Sequence, residues 1–162
     1  MVILRNANKK NYNSIEAYYE PEPGNPDEDV TVKDGKHTFM WRRRKSNENI
    51  ANHGFSFYLA RHVFKDKYKI FDDDLANDNK NTGVYGIVEG DKKVMLVIHA
   101  QSEYLEKGIA RIVSAYYTSD QNLIKNYEKI KGYRRKSESL MPDDDELKSL
   151  KELHLKILRD FV

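Results

Sequence analysis

The chain of 162 residues has no cysteine, which excludes disulfides and thiolate-held metals. It has no apolar run near the roughly 20 residues a membrane-spanning helix needs. Val2-Ile3-Leu4, followed at once by Arg5 and Asn6, is too short for the apolar region of a signal peptide. A cytosolic protein without a membrane partner is therefore expected. The 8 glycines never form a phosphate-cradling loop or a nucleophile elbow. The 5 histidines lack the i, i+4 spacing of a zinc site, and Asp72–Asp74 and Asp143–Asp145 are runs, not alternating calcium ligands. No metal or other cofactor is expected.

What is present is charge, and its position matters more than the formal net charge of +2. Residues 12–35 carry Glu16, Glu20, Glu22, Asp27, Glu28, Asp29 and Asp34 against Lys33, a local balance of −6. Residues 41–69 carry Arg42, Arg43, Arg44, Lys45, Arg61, Lys65, Lys67 and Lys69 against Glu48 and Asp66, a balance of +6. Either these are two solvated surfaces, or the acidic leader folds over the basic segment and competes with its ligand. The stretch from Trp41 to Phe57 packs cations beside an aromatic, a composition suited to a polyanion such as nucleic acid.

Apolar residues make up 39% of the chain, enough for one modest core with decorations. Residues 1–36 hold Pro21, Pro23, Gly24 and Pro26 and read as an acidic extension, mostly loop, with a short element around Ser14–Tyr19. His37–Trp41 reads as a first strand. A polar helix over Arg44–Asn52 ends at Gly54, and Ser56 caps a second helix whose stripe is Leu59, Ala60, Val63 and Phe64. Asp72–Lys80 is a polar loop. Thr82–Val88, Lys93–Ala100 and Ile109–Tyr117 read as strands, with a loop at Ser102–Gly108. A helix over Asp120–Lys131 closes this α+β core. Pro142 and Asp143–Asp145 start a last helix whose row of Leu147, Leu150, His154, Ile157, Leu158 and Phe161 is expected to pack on the core, with a dimer contact or a partner-docking surface as alternatives.

This order, a strand, two helices, three antiparallel strands and a helix, carries further signals at its junctions. Trp41 is followed by Lys45, Asn49 and then Asn52-His53-Gly54-Phe55-Ser56-Phe57; Tyr85-Gly86 sits in the middle strand; Arg111-Ile112-Val113-Ser114-Ala115-Tyr116 forms the late strand. Over residues 37–128 the chain resembles the BrnT family, ribonuclease toxins of type II toxin–antitoxin pairs. The resemblance implies a RelE/ParE-like fold: a small antiparallel sheet packed by helices, flanked here by the extension over 1–36 and a helical extension over 129–162. The chain departs from the family pattern at Arg42, Asn52, Asn81 and Tyr116, the last standing where the family has a candidate catalytic arginine.

The resemblance implies metal-independent RNA cleavage, restrained by a cognate antitoxin that joins it on operator DNA. A homodimer is a further option. In such a reaction the ribose 2′-hydroxyl attacks the adjacent phosphate, a base takes its proton, an acid protonates the leaving oxygen, and cations steady the phosphorane. Candidate catalytic residues are His53, His99, Arg111 and Tyr116. His53 either carries a proton or closes the helix end against Trp41. His99 is either a general base on an open sheet face or a solvated strand residue. Arg111 and Tyr116 have opposite parity and share a face only across a bulge. Candidate RNA contacts are Trp41, Arg42, Arg43, Arg44 and Lys45, with Trp41 a stacking platform or a core residue. The substitution at Tyr116 leaves a second reading: a toxin fold without catalysis, acting as a protein- or nucleic-acid-binding module.

Overall fold

The computed structural model describes residues 2–3, 16–76, 78–140 and 143–160. The short runs of β-branched and aromatic residues assemble into a seven-stranded mixed sheet. In chain order the strands are β1 (Val2–Ile3), β2 (Asp29–Asp34), β3 (His37–Arg42), β4 (Ile70–Asp72), β5 (Asn81–Ile87), β6 (Val94–Ala100) and β7 (Ile109–Tyr117). Their spatial order is β1-β2-β3-β7-β6-β5-β4. The β4-β5, β5-β6, β6-β7 and β2-β3 pairs are antiparallel, whereas β3-β7 and β1-β2 are parallel. The fold class is α+β as expected, but the sheet is not purely antiparallel. It is larger because β1, β2 and β4 lie outside the strands read from the sequence.

Helices are α1 (Glu16–Tyr19), α2 (Arg43–His53), α3 (Phe57–Ala60), α4 (Gln101–Lys107), α5 (Gln121–Leu140) and α6 (Asp144–Asp160). Gly54 closes α2 in the left-handed region with φ 87°, its N–H bonded to Ile50. Ser56 caps α3 by accepting the Leu59 N–H, and a 3-10 segment, Arg61–Lys65, extends it. The expected loop at Ser102–Gly108 is instead α4, closed by Gly108 at φ 67°. The expected element near Ser14 is α1; Ser14 itself lies outside the described residues, as do Pro142 and Phe161.

Residues 29–34 correct the reading of the N-terminal segment as loop. Val30, Thr31 and Val32 are buried, and β2 pairs with β3 from Asp29 opposite Arg42 to Asp34 opposite His37. Strand alternation places apolar residues on both faces of the sheet. Met95, Val97, Phe39, Trp41, Ile112 and Ala115 join one cluster with Phe57, Val63 and Phe64. Val94, Leu96 and Tyr85 join a second with Tyr68 and Tyr127. Ile112 and Ala115 share a face although three apart, because a register shift places His99 opposite Ile112 and Ile98 opposite Ser114.

Asp66 pins the second cluster. Its carboxylate accepts the Ile87 N–H at 2.8 Å, the Tyr68 N–H at 2.9 Å and the Tyr127 hydroxyl at 2.5 Å. A Cβ at Gly86 would stand 2.8 Å from Asp66 Oδ2, so the glycine admits the carboxylate. The chain divides into two compact units, residues 1–127 and 128–162. The second contains the rest of α5 and all of α6, whose Leu147, Leu150, Ile157 and Leu158 are exposed; the expected burial of that apolar row is not observed.

Candidate nucleic-acid interface

The expected interface centres on α2, which leaves β3 without a turn between them. Its first N–H groups find acceptors in the preceding segment: Arg43 N–H donates to Glu28 O at 3.0 Å and Arg44 N–H to Pro26 O at 2.9 Å. Asn47 holds the same segment from the next turn, accepting the Glu22 N–H at 2.8 Å and donating to the Glu22 carbonyl at 3.3 Å. The acidic leader is thus strapped across the beginning of the basic helix.

This strap accounts for much of the charge separated in sequence. Arg44 pairs with Asp27 at 2.8 Å, Arg111 with Asp29 at 3.3 Å, and both Arg61 and Lys65 with Asp34. Arg43 is 2% exposed. Its guanidinium donates to Asn25 O at 2.7 Å and to Glu28 at 3.4 Å, and its Nε lies 3.9 Å from Glu22. The chain bends tightly around it at Gly24, where φ is 117° and a Cβ would approach Arg43 Nη1 to 2.6 Å.

Trp41 is fully buried, edge-on to Phe57, and its indole donates to Glu22 Oε1 at 3.0 Å. Burial pushes the Glu22 carboxyl up to about 7 despite the indole and Arg43. Two of the five expected RNA contacts, Trp41 and Arg43, are therefore interior residues that a nucleic acid does not reach. Arg42 and Lys45 are exposed and make no ion pair among the described residues; Arg44 is exposed but paired.

Asn49 has a role that its spacing alone did not reveal. β3 pairs with β7 only through Thr38–Met40, so the later part of β7 lies beside α2 without a strand partner there. Asn49 fills this gap, accepting the buried Ala115 N–H at 3.2 Å and donating to the Phe55 carbonyl at 2.9 Å.

The four expected catalytic residues do not converge. His99 is fully buried against Phe64, Tyr104 and Phe71, with ring centroids 5.2, 5.1 and 6.2 Å away. Its sheet face is not open, because the 3-10 segment and α4 cover it. Burial drives its pKa down to about 4, and its Nε2 has no hydrogen-bond partner among the described residues. Arg111 donates to Glu103 at 2.8 Å and pairs with Asp29, so two carboxylates hold its charge. The bulge relieves the parity conflict with Tyr116, yet strand rise still separates the two Cα positions by about 13 Å. One pair is brought together: the exposed His53 ring lies 5.6 Å from that of Tyr116, a partly exposed residue. His53 packs on Tyr116, not on Trp41.

No model of a known protein family and no curated protein matches this chain. Among the described residues, no helix is long and apolar enough to cross a membrane.

Proposed function

We propose that the protein is an RNA-binding module of toxin-like fold that does not cleave its ligand. The observation carrying this reading is the dispersal of the candidate catalytic set. His99 is sealed among aromatic rings, and Arg111 is held by Glu103 and Asp29. Cleavage needs a base, an acid and a cation around one phosphate. His53 and Tyr116 could serve as the first two, but Lys45 lies eight helical residues from His53, about 12 Å along the axis.

Binding demands less. Arg42, Lys45 and His53 are exposed donors at the end of β3 and on α2, and Tyr116 adds an aromatic face beside His53. Trp41 and Asn49, which belong to the motif behind the family resemblance, and the buried Arg43 stabilise this architecture rather than touch RNA. Fluorescence anisotropy with a labelled single-stranded RNA over a salt series tests the proposal. Affinity is expected to fall linearly in log–log form with salt. Absence of binding even at low salt would refute it.

The His53–Tyr116 pair favours a second reading, an active metal-independent ribonuclease restrained by a cognate antitoxin. In that case RNA is degraded in EDTA, and His53→Ala or Tyr116→Phe stops the degradation.

A further inference from the structure

A cleft of about 590 Å³ opens on the first unit, formed by α1, the α3 region, the β5–β6 turn and the end of β7. Three tyrosines line it, Tyr18, Tyr19 and Tyr117, together with His62, Glu89 and Asp91; among the described residues no lysine or arginine is in its lining. Its walls are organised by hydrogen bonds. Tyr18 Oη lies 3.1 Å from His62 Nε2, and Tyr117 donates to Asp91 Oδ2 at 2.5 Å. Tyr18 also stacks on Tyr58 at 5.5 Å, while Tyr19 is 52% exposed with its ring edge-on to Tyr18.

The molecule already uses these rings to hold cations. The Lys93 ammonium sits 5.8 Å from the Tyr117 ring centroid, and the Arg61 guanidinium lies 4.1 Å over Tyr58, the ring on which Tyr18 stacks. Arg61 and Lys65 share the Asp34 carboxylate, and neither lines the cleft. His62 meets Tyr18, and burial together with the cations Arg61 and Lys65 pushes its pKa down to about 4, against Asp34. It is therefore uncharged near neutrality. The lining thus combines electron-rich ring faces, two carboxylates and a neutral imidazole.

We propose that this cleft binds an alkylammonium group, with the tyrosine rings supplying π surface and Glu89 and Asp91 the countercharge. A phosphate or carboxylate would meet repulsion from both acids, and a purely apolar ligand would offer neither acid a countercharge. The ammonium could come from a free polyamine or from a lysine side chain of another protein; the chemistry recognised is the same.

The full chain is titrated with n-butylammonium at constant ionic strength, using n-butanol as the neutral control. NMR follows the amides of residues 89–91 and the Tyr19 and Tyr117 rings. Saturable shifts with butylammonium and none with butanol are expected. Tyr19→Leu and Glu89→Gln, both at exposed positions, are each expected to weaken binding about two- to fivefold. Equal shifts with butanol, no shift at these signals, or unchanged affinity in both folded variants would overturn the proposal. Spermidine and an acetylated, amidated lysine tripeptide separate the sources. Tighter binding of spermidine than butylammonium supports a polyamine, and tighter binding of the tripeptide supports a protein lysine.

Discussion

Asn49 accepts the amide hydrogen of Ala115 at 3.2 Å, joining α2 to a strand 66 residues further along the chain. The same carboxamide donates to Phe55 across the Gly54 cap. Asn49, one of the motif residues behind the family resemblance, is an interior brace. Asn49→Leu leaves two buried backbone groups unsatisfied and is expected to cost about 2–4 kcal/mol in urea unfolding. The exposed Asn52→Ala is expected to change stability by less than about 0.5 kcal/mol.

Stability should fall on the alkaline side through Glu22. Its folded-state pKa is raised from 4.5 to about 7 by burial beside Trp41. A raised value means that the folded form retains the proton more strongly. Its contribution is full below 4.5 and is lost as pH rises through about 7. Denaturant midpoints between pH 5 and pH 8 check this. Glu22→Gln keeps an acceptor for the Trp41 indole and is expected to flatten that limb.

His99 produces the opposite limb. Burial lowers its pKa from 6.5 to about 4, so the unfolded chain binds the proton more readily. Its contribution is full above 6.5 and disappears as pH falls through about 4, an effect of about 2–4 kcal/mol. His62 has the same sign, with a smaller effect because it is more solvated. His99→Phe preserves an aromatic contact with Phe64 and Tyr104 and is expected to flatten the acid limb in the same urea series.

Much of this fold was legible because its signals are local. The β-branched and aromatic run of Ile109–Tyr117 forms β7 at the expected bounds, and Gly54 and Ser56 perform the expected cap roles. Strand β2 was hidden because acids flank its short Val30–Val32 core and prolines precede it. Helix α4 was hidden by its polarity, having only Tyr104 and Leu105 as apolar members. The site was less legible than the fold. Sequence alternation correctly set His99 opposite Leu96, but the rings that cover it come from Phe64 and Tyr104, on other elements. Arg43 likewise looked like a surface cation until Glu22, Asn25 and Glu28 were brought around it. The charge imbalance was a usable clue, since opposite blocks next to each other in sequence can pair in space.

The proposed RNA contacts are expected to divide along the same line. Replacing Arg42 and Lys45 together by alanine should weaken RNA binding and reduce the log–log salt slope by about 1–2. Arg111→Ala should leave that slope unchanged, because Glu103 and Asp29 already hold its charge. Anisotropy titrations of the three proteins check both statements.

Incubating the purified chain with end-labelled single-stranded RNA in EDTA tests the central claim most directly, with retention and fragment length read from the same sample. Salt-sensitive retention of intact RNA is expected. RNA fragments that form in EDTA and vanish with His53→Ala or Tyr116→Phe would contradict the account.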